Sequence, residues 1–382
     1  MAAWVIWPSV AAADFTAVPQ GSIRYEHNSN IFAVSPGDPL LVAQGDSTRG
    51  DSTETYQVGV ALNGAWGLQR LTANVEGREI TYGHYTRLNH SEYLGDVDFH
   101  WTLDSRLDGN FDIHRDHSMA QFMNRESTQL EVDTNQDARA NLNFKFAADF
   151  RLEAGIVNHD THSPLPGFPN AAIIENTERL ALRYLGVSNL TYGIEASRLE
   201  GKFSDSVSPS TYTQDNADFV FSYSVGSFSK VNGSIGYSDR KSDAAVSTNS
   251  GITGSIGFSR QLTGKTSITG QLSRLINTYV VGGGTEIDTS ANLGANWAAT
   301  SHITVTANVS HTHSAYGQQA TSDVVDAGRS DQYSAVNLSV SYQILRWLSL
   351  RPYGRYETRH SNKAQFTYDG SIVGIELHGQ YQ

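Results

Sequence analysis

The segment Ile303-Thr-Val-Thr-Ala-Asn-Val309 decides the fold of this chain, because apolar and polar residues alternate along its whole length. Thr304, Thr306 and Asn308 are the polar residues, and each lies between two apolar ones. A β-strand points successive side chains to opposite faces, whereas a helix would spread both kinds around its circumference. The segment is therefore predicted to be a strand with one apolar face and one polar face.

The same alternation recurs along the rest of the chain and predicts about eighteen strands of roughly ten residues each. Leu190–Ala196 and Val336–Tyr342 repeat it. Short turns and longer polar loops alternate between the strands. The predicted strands are 21–33, 54–63, 69–83, 91–102, 106–117, 128–145, 150–160, 177–185, 189–201, 216–225, 229–239, 249–261, 265–278, 286–297, 302–314, 331–343, 347–359 and 366–381.

This organisation predicts an all-β fold, a single transmembrane antiparallel β-barrel. The chain has 382 residues, a formal net charge of −12 and a mean hydropathy of −0.37. No run of about eighteen apolar residues is present, which excludes a helical membrane protein. A negative mean hydropathy is compatible with a barrel, since only every second strand residue must face lipid. An even strand count places both termini in the periplasm, so we expect short periplasmic turns and long extracellular loops.

Residues 1–13 are interpreted as the remnant of a secretory signal peptide, and residues 14–382 as the outer-membrane barrel. The first stretch is largely apolar and ends in three alanines, which are typical of a cleavage site. It lacks a basic start, since the first positive side chain is Arg24. A disordered N-terminal tail is the alternative interpretation. The chain contains no cysteine, which suits an oxidising compartment, and we predict a location in the cell outer membrane.

Aromatic residues are expected to form two girdles at the membrane interfaces, because amphipathic rings prefer that depth. A general preference of aromatic residues for strand ends is the alternative explanation. The tryptophans of the first girdle lie in or beside short turns, and they are Trp66, Trp101, Trp297 and Trp347. The tyrosines of the second girdle flank the long loops, and they are Tyr82, Tyr85, Tyr93, Tyr279, Tyr316 and Tyr333.

The polar face of the strands is predicted to line a water-filled pore, because a charge on the lipid face costs about 2–4 kcal/mol at the bilayer midplane. A barrel of this size leaves an aqueous lumen. Strands 229–261 contribute hydroxyls and glycines, with no carboxylate in mid-strand, and loops 34–53, 161–176 and 315–330 are candidates for a constriction. The predicted pore-lining residues are Glu76, Arg78, Asp108, Asp112, His114, Arg139, Lys145, Arg151, Glu153, Arg179, Arg183, Glu195, Arg351, Tyr353, Arg355 and Glu357.

Metal, catalytic and nucleic-acid sites are not expected in this chain. His114 and His117 are three residues apart, so a strand would point them to opposite faces. Nucleophile and phosphate-binding motifs are absent from the sequence. The acidic charge balance argues against a nucleic-acid partner. No cofactor is predicted, and the residues give no reason to expect an enzyme.

Four short motifs resemble one family of proteins, the type-two β-barrel porins, which include barrels encoded in exopolysaccharide operons. The first strand carries Tyr25-Glu-His-Asn-Ser-Asn-Ile-Phe32, which is similar to the opening motif of that family. Tyr85–Leu94, Trp101–Gly109 and Tyr356–Tyr368 resemble it as well. The chain departs from the usual ending of such barrels, because its last aromatic residue, Tyr381, is penultimate.

The resemblance implies a secretion pore for a polysaccharide chain, working with a periplasmic polysaccharide export protein and without catalytic residues. Asn28, Asn30 and Phe32 are the motif positions that carry over. We interpret them as anchors of the first strand near barrel closure and not as a binding site.

The leading functional hypothesis is therefore export of exopolysaccharide across the outer membrane, with outer-membrane lipids around the barrel. A mixed-charge wall is also what any water-filled barrel needs for solvation, so a general diffusion porin for small hydrophilic solutes is one alternative. A structural barrel that transports nothing is another.

Overall fold

The computed structural model describes residues 14–39, 41, 48–124, 127–163, 172–204, 210–243, 249–279, 284–317 and 328–381. They form one sheet of eighteen antiparallel strands, and each strand pairs with its neighbours in the sequence. The strands are β1 Asp14–Asn28, β2 Asp51–Trp66, β3 Gln69–Tyr82, β4 His90–Thr102, β5 Leu107–Met119, β6 Val132–Ala147, β7 Phe150–His162, β8 Ala172–Val187, β9 Leu190–Ser204, β10 Ser210–Val225, β11 Ser229–Ser242, β12 Asn249–Thr263, β13 Thr266–Tyr279, β14 Gly284–Ala298, β15 Ile303–Tyr316, β16 Ser330–Leu345, β17 Leu348–Ser361 and β18 Tyr368–Gln380.

The sheet closes because β1 pairs on one side with β2 and on the other with β18. The regular β18 pairing begins at Gln20, and just before it the Pro19 carbonyl accepts the Tyr381 backbone N–H at 3.1 Å. Pro19 therefore lies at the end of this pairing, where a residue without a backbone N–H is tolerated. Closure leaves no free edge along the rest of the sheet. The predicted eighteen-stranded antiparallel barrel is confirmed.

The first strand differs from its predicted range of 21–33. It begins at Asp14 and ends at Asn28, and the next residues form a turn. The turn starts there because the Asn28 side-chain oxygen accepts the Asn30 backbone N–H at 2.9 Å. This local bond takes the donor that a longer strand would have used. Phe32 therefore lies in the first loop.

Connections of two kinds alternate along the barrel, as expected. Tight turns such as 67–68 and 103–106 gather at one end, here called the turn end, together with both strand termini of the described chain. Longer connections gather at the other, the loop end, where three of them contain short 3₁₀ helices. At the turn end, Arg106 and Leu107 donate their backbone N–H groups to Asp104 at 2.7 and 2.9 Å. These two bonds hold the pKa of the Asp104 carboxyl below its usual value.

Alternation gives every strand one apolar and one polar face. Val97 lies opposite Ile113 on the apolar face, and the next pair, Asp98 and Asp112, lies on the polar face. The polar face is the inside of the barrel, because Thr278 on β13 donates to Glu175 on β8 at 2.5 Å, five strands away around the ring. Only the concave side allows such a short contact. No helix among the described residues is long and apolar enough to cross a bilayer.

The outer face exposes apolar side chains all around the ring, as a surface in contact with lipid requires. At the turn end it also carries a row of aromatic rings. Trp66 stacks between Phe15 and Phe99, with centroids 5.8 and 5.7 Å away. A second run contains Phe146, Phe150, Tyr184, Tyr192, Phe219 and Phe221. The aromatic girdle predicted for the turn end is confirmed.

The girdle predicted for the loop end is wrong for most of its tyrosines. Tyr82, Tyr85 and Tyr316 are buried. Tyr333 donates its hydroxyl to the interior Glu357 at 2.8 Å. These residues sit at polar-face positions or in loops, so their rings pack inside the mouth. Of the described tyrosine side chains in that group, Tyr93 is the exposed one.

Candidate functional site

The interior of the barrel is the candidate site, and its most heavily charged part lies on β7, β8 and β9. Arg183 bridges Glu153 and Glu195, with nitrogen–oxygen distances of 3.2 and 2.8 Å. Arg179 pairs with Glu195 at 3.2 Å, and Arg151 pairs with Glu153. Each carboxylate contacts more than one guanidinium, so the charges of this cluster largely compensate each other.

Two further sets of charged interior side chains also form ion pairs among themselves. On β3, Glu76 accepts from Arg78 at 3.0 Å and from Gln57 at 2.8 Å. On β17, Arg355 pairs with Glu357 at 2.7 Å. These contacts hold charged side chains against the wall and limit how far they extend into the interior.

The remaining predicted residues of β17 are engaged as well. Arg351 forms an ion pair with Glu376 on β18. The Tyr353 hydroxyl donates to Glu26 on β1, across the closure of the barrel. The Tyr353 hydroxyl therefore has a structural partner, and its ring lies 6.0 Å from the Arg351 guanidinium.

An acidic sector lines β4, β5 and β6. Asp98 lies directly opposite Asp112, which lies opposite Arg139. His114 contacts Asp96, and Asp108 accepts from Asn143 at 2.7 Å. A recess of about 480 Å³ opens here, and its lining includes Asp96, Asp98, Asp112, His114, Asp137 and Arg139. Among the described residues, no three histidine, aspartate or glutamate side chains form a metal site.

All sixteen residues predicted to line the pore lie on the interior face, but they are spread around the ring and do not form one site. Lys145 makes no ion pair with the described residues. That solutes move past these side chains stays a prediction. Asp96, Asp98 and Asp137 were not predicted, although the same two-residue period places them beside Asp112 and Arg139.

The opposite side of the interior carries hydroxyl and amide groups. Ser238 and Thr253 bond across β11 and β12 at 2.7 Å, and Ser234 and Ser255 at 3.3 Å. A recess of about 520 Å³ follows on β11 to β16. It is centred about half-way round the ring from the acidic sector. The amides that line it are Asn232, Gln271, Asn292, Asn308 and Asn337.

The loop end is narrowed by an apolar cluster, here called the mouth cluster. It consists of Phe32, Val34, Leu41, Tyr82, Tyr85, Leu88 and Phe122. These residues come from β3 and from the loops that follow β1, β3 and β5. Phe32 is 1% exposed and meets Tyr85 and Phe122 edge-on at 4.8 and 5.0 Å. The first loop was a predicted constriction, whereas the loop after β5 was not.

The other two predicted constrictions fall largely outside the described residues, since 164–171 and 318–327 are not described. The described end of the second, Arg329, is buried against Phe366, with its guanidinium 3.5 Å from the ring centroid. Arg329 and Arg359 share Asp331, at 2.7 and 2.9 Å. Arg359 also donates to the Met123 carbonyl, which ties the loop after β5 to β17, six strands away around the ring.

The motif residues of the first strand act as anchors, in agreement with the interpretation from sequence. The Asn30 side chain donates to the carbonyls of Val34 and Asp369, each at 2.8 Å. The second of these bonds joins the first loop to β18, next to the closure. Asp51 holds the next loop by accepting the Tyr85 backbone N–H at 2.8 Å.

Comparison with known proteins supports the barrel. Residues 223–381 match the family described as “Putative beta-barrel porin 2”. The last hairpin motif lies within this match, and the three earlier motifs lie outside it. No curated protein sequence gives a significant match.

Solved structures of similar fold include OccK9 (OpdG) of Pseudomonas aeruginosa, which is 13% identical, with 96% of this chain and 98% of that chain covered and a TM-score of 0.50. The outer membrane protein OpdK of Pseudomonas aeruginosa is 11% identical, with coverages of 96% and 98% and a TM-score of 0.47. OpdQ of the same organism is 11% identical, with coverages of 96% and 97% and a TM-score of 0.48. At these identities the likeness concerns the fold alone. The chain is an outer-membrane β-barrel, and its residues 223–381 are similar to the putative beta-barrel porin 2 family.

Proposed function

We propose that this barrel is the outer-membrane exit pore for an exopolysaccharide, which it receives from a periplasmic polysaccharide export protein. The observation that carries the proposal is the wall itself. Most of its arginines are paired with glutamates, and a broad arc opposite the acidic sector presents hydroxyls and amides. Such groups exchange hydrogen bonds with sugar hydroxyls without trapping the chain through charge. The proposal includes no catalytic step and no cofactor.

The resemblance of the first strand and the last hairpin to barrels of exopolysaccharide operons also supports this direction of transport. A wall that passes a hydrated chain must remain open along its length. The amides on the inner face of β11 to β16 support this, since they are exposed or only partly buried. The residues that line the predicted path are the sixteen named from the sequence and the acidic and amide side chains beside them.

A general diffusion porin is the second candidate, and the mouth cluster favours it. The cluster fills part of the outlet with packed side chains, which narrows the path more for a polymer than for a small solute.

Deletion of the gene in the producing bacterium separates the two functions. For an exit pore, polymer accumulates in the periplasm, secreted polymer disappears and uptake of small solutes stays normal. A plasmid copy of the gene restores secretion. Normal secretion combined with slower uptake of small solutes would contradict the proposal and support the diffusion porin. If purified protein in planar bilayers gave no conductance, a structural barrel would be the better description.

A further inference from the structure

The uncharged recess is lined by five amide side chains that lie on the interior face of β11 to β16. Asn232, Gln271, Asn292, Asn308 and Asn337 make no side-chain hydrogen bond to any described residue. Four of them are exposed, and Asn337 is partly buried. Each carries two donors and an acceptor, all of which are open to whatever occupies the interior.

Interior amides on the charged side are used in another way. Asn74 donates to Glu76 at 2.8 Å, and Asn143 donates to Asp108 at 2.7 Å. Asn141 accepts from Arg179 at 3.3 Å. These amides hydrogen-bond neighbouring charged groups and have less capacity left for a ligand. Amides without a side-chain hydrogen bond to a described residue are therefore most numerous in one arc, although Asn63 in the acidic recess is another.

Two glycines bring the side chains that line the recess close to the backbone. Gly257 and Gly294 lie among the amides on the interior face. A Cβ at Gly294 would come within 2.7 Å of the Thr269 hydroxyl and 2.8 Å of the Asn308 side-chain oxygen, so these two side chains lie over the glycine. A second recess of about 500 Å³ continues toward the turn end, and the two share Ser259 and Thr269. Lys230 also lines the second recess, so the uncharged part of this path is the amide recess.

Charge determines the class of saccharide. None of the described residues that line the amide recess is charged. The acidic sector faces it from the opposite wall, so a polyanionic chain on the amides would meet carboxylates such as Asp98 and Asp112 across the interior. A neutral chain meets no such repulsion.

We propose that the inner face of β11 to β16 is a binding track for an uncharged saccharide chain, recognised by its hydroxyls. The proposal rests on the proposed function and names the class of polymer that the pore takes. Each sugar hydroxyl both donates and accepts, as each amide does, and it replaces water on the amide at little net cost. Binding at any one position is therefore weak, and the chain can move along the track.

The test uses the full chain in planar bilayers, with maltohexaose as the neutral probe and hexagalacturonate as an anionic probe of equal length. The track variant is Gln271→Leu with Asn292→Leu. The matched control is Asn74→Leu with Asn143→Leu, which removes two interior amides that are already paired. We expect maltohexaose to block the wild type, and the dwell time to fall about tenfold in the track variant but not in the control. Hexagalacturonate should block at least about tenfold less well.

Calorimetric titration of maltohexaose into the barrel in detergent micelles gives a second readout that does not depend on conductance. Equal block of the track variant, the control and the wild type would overturn the proposal. Absence of any maltohexaose binding to the wild type, or equal binding of hexagalacturonate, would overturn it too. These outcomes are independent of the deletion experiment, because a barrel that binds the neutral chain but is not needed for secretion would contradict only the export function.

Discussion

The loop end of this barrel and the middle of its interior are built from the same alternating strands, yet they are packed in opposite ways. At the loop end, Phe32 and Leu88 are 1% and 0% exposed, and the arginines beside Asp331 are buried as well. In the middle, interior side chains such as Gln271 and Asn292 are exposed. The buried side chains of this molecule are therefore concentrated at one end.

The difference shows which forces act where. The loop end resembles the interior of a soluble protein, with apolar packing and ion pairs removed from water. The middle depends on the closed backbone ladder and on lipid around the outer face. Substitutions should therefore be costly at the mouth and well tolerated in the interior wall. The predictions below test this difference, from the largest expected effect to the smallest.

Phe32→Ala should destabilise the packing of the mouth cluster by about 3–5 kcal/mol, because it removes a fully buried ring that touches two other aromatic residues. We expect the barrel to remain closed and the first loop to separate from its neighbours. Limited proteolysis should then cut within 29–50, and single-channel conductance should rise.

Phe228→Ala is the matched control, since Phe228 lies in a turn at the other end and is 67% exposed. It should change neither the proteolysis pattern nor the conductance. If the two variants behaved alike, the mouth cluster would not be a packed unit and the comparison would fail.

Arg359→Met should weaken the link between the loop after β5 and β17. The change removes the hydrogen bond to Met123 and one of the two guanidinium groups on Asp331. Arg329 still neutralises Asp331, so we expect a loss of about 2–3 kcal/mol, less than for a fully broken buried pair. Protease access to 120–131 measures it.

Arg351→Met removes an ion pair of the same strand in which the arginine is 51% and Glu376 is 10% exposed. It should cost about 1–2 kcal/mol, less than Arg359→Met. An equal loss of stability in Arg351→Met and Arg359→Met would show that burial of an arginine at the mouth does not increase its contribution to stability.

Strand number and strand positions were predictable from the sequence because the two-residue period is a local signal. Ile303–Val309 shows its own two faces without any other part of the chain. The same period placed all sixteen predicted interior residues on the correct face. The end of β1 was missed, because the turn after Asn28 depends on one hydrogen bond from the Asn30 backbone N–H to the Asn28 side chain.

The packing of side chains at the mouth could not be predicted from the two-residue period. Tyr82 and Tyr316 look like interface residues in sequence, but they point inward because of their position in the alternation. Phe122 is buried only because two other loops meet it, and these contacts are distant in sequence. The acidic sector was found in part, since its aspartates become neighbours only through the register of β4 with β5.

Arg183→Met should have a small effect on stability, because both of its carboxylate partners keep another guanidinium: Glu153 keeps Arg151 and Arg179, and Glu195 keeps Arg179. We expect a loss of about 1 kcal/mol or less. Removing a positive charge should make the channel prefer cations more strongly, which the reversal potential in a salt gradient measures. Lys145→Met, which breaks no ion pair with a described residue, should shift the reversal potential similarly and leave stability unchanged. A large loss of stability in Arg183→Met would show that part of the middle of the barrel is packed as tightly as the mouth.

The smallest effect should come from the turn end, at Asp104. Two backbone N–H groups favour the charged carboxylate, so its pKa is lower in the folded barrel than in the unfolded chain. Its stabilising contribution is complete above the unfolded value of about 3.9 and is lost as the pH falls through the lower folded value. Asp104→Asn keeps the acceptor oxygen but does not titrate. The stability difference between wild type and this variant should therefore shrink only in acid, below about pH 4. If the stability difference between the two proteins changed near neutral pH, a group other than Asp104 would have to titrate there and interact with this turn. The turn end would then contain interacting buried charges, as the mouth does.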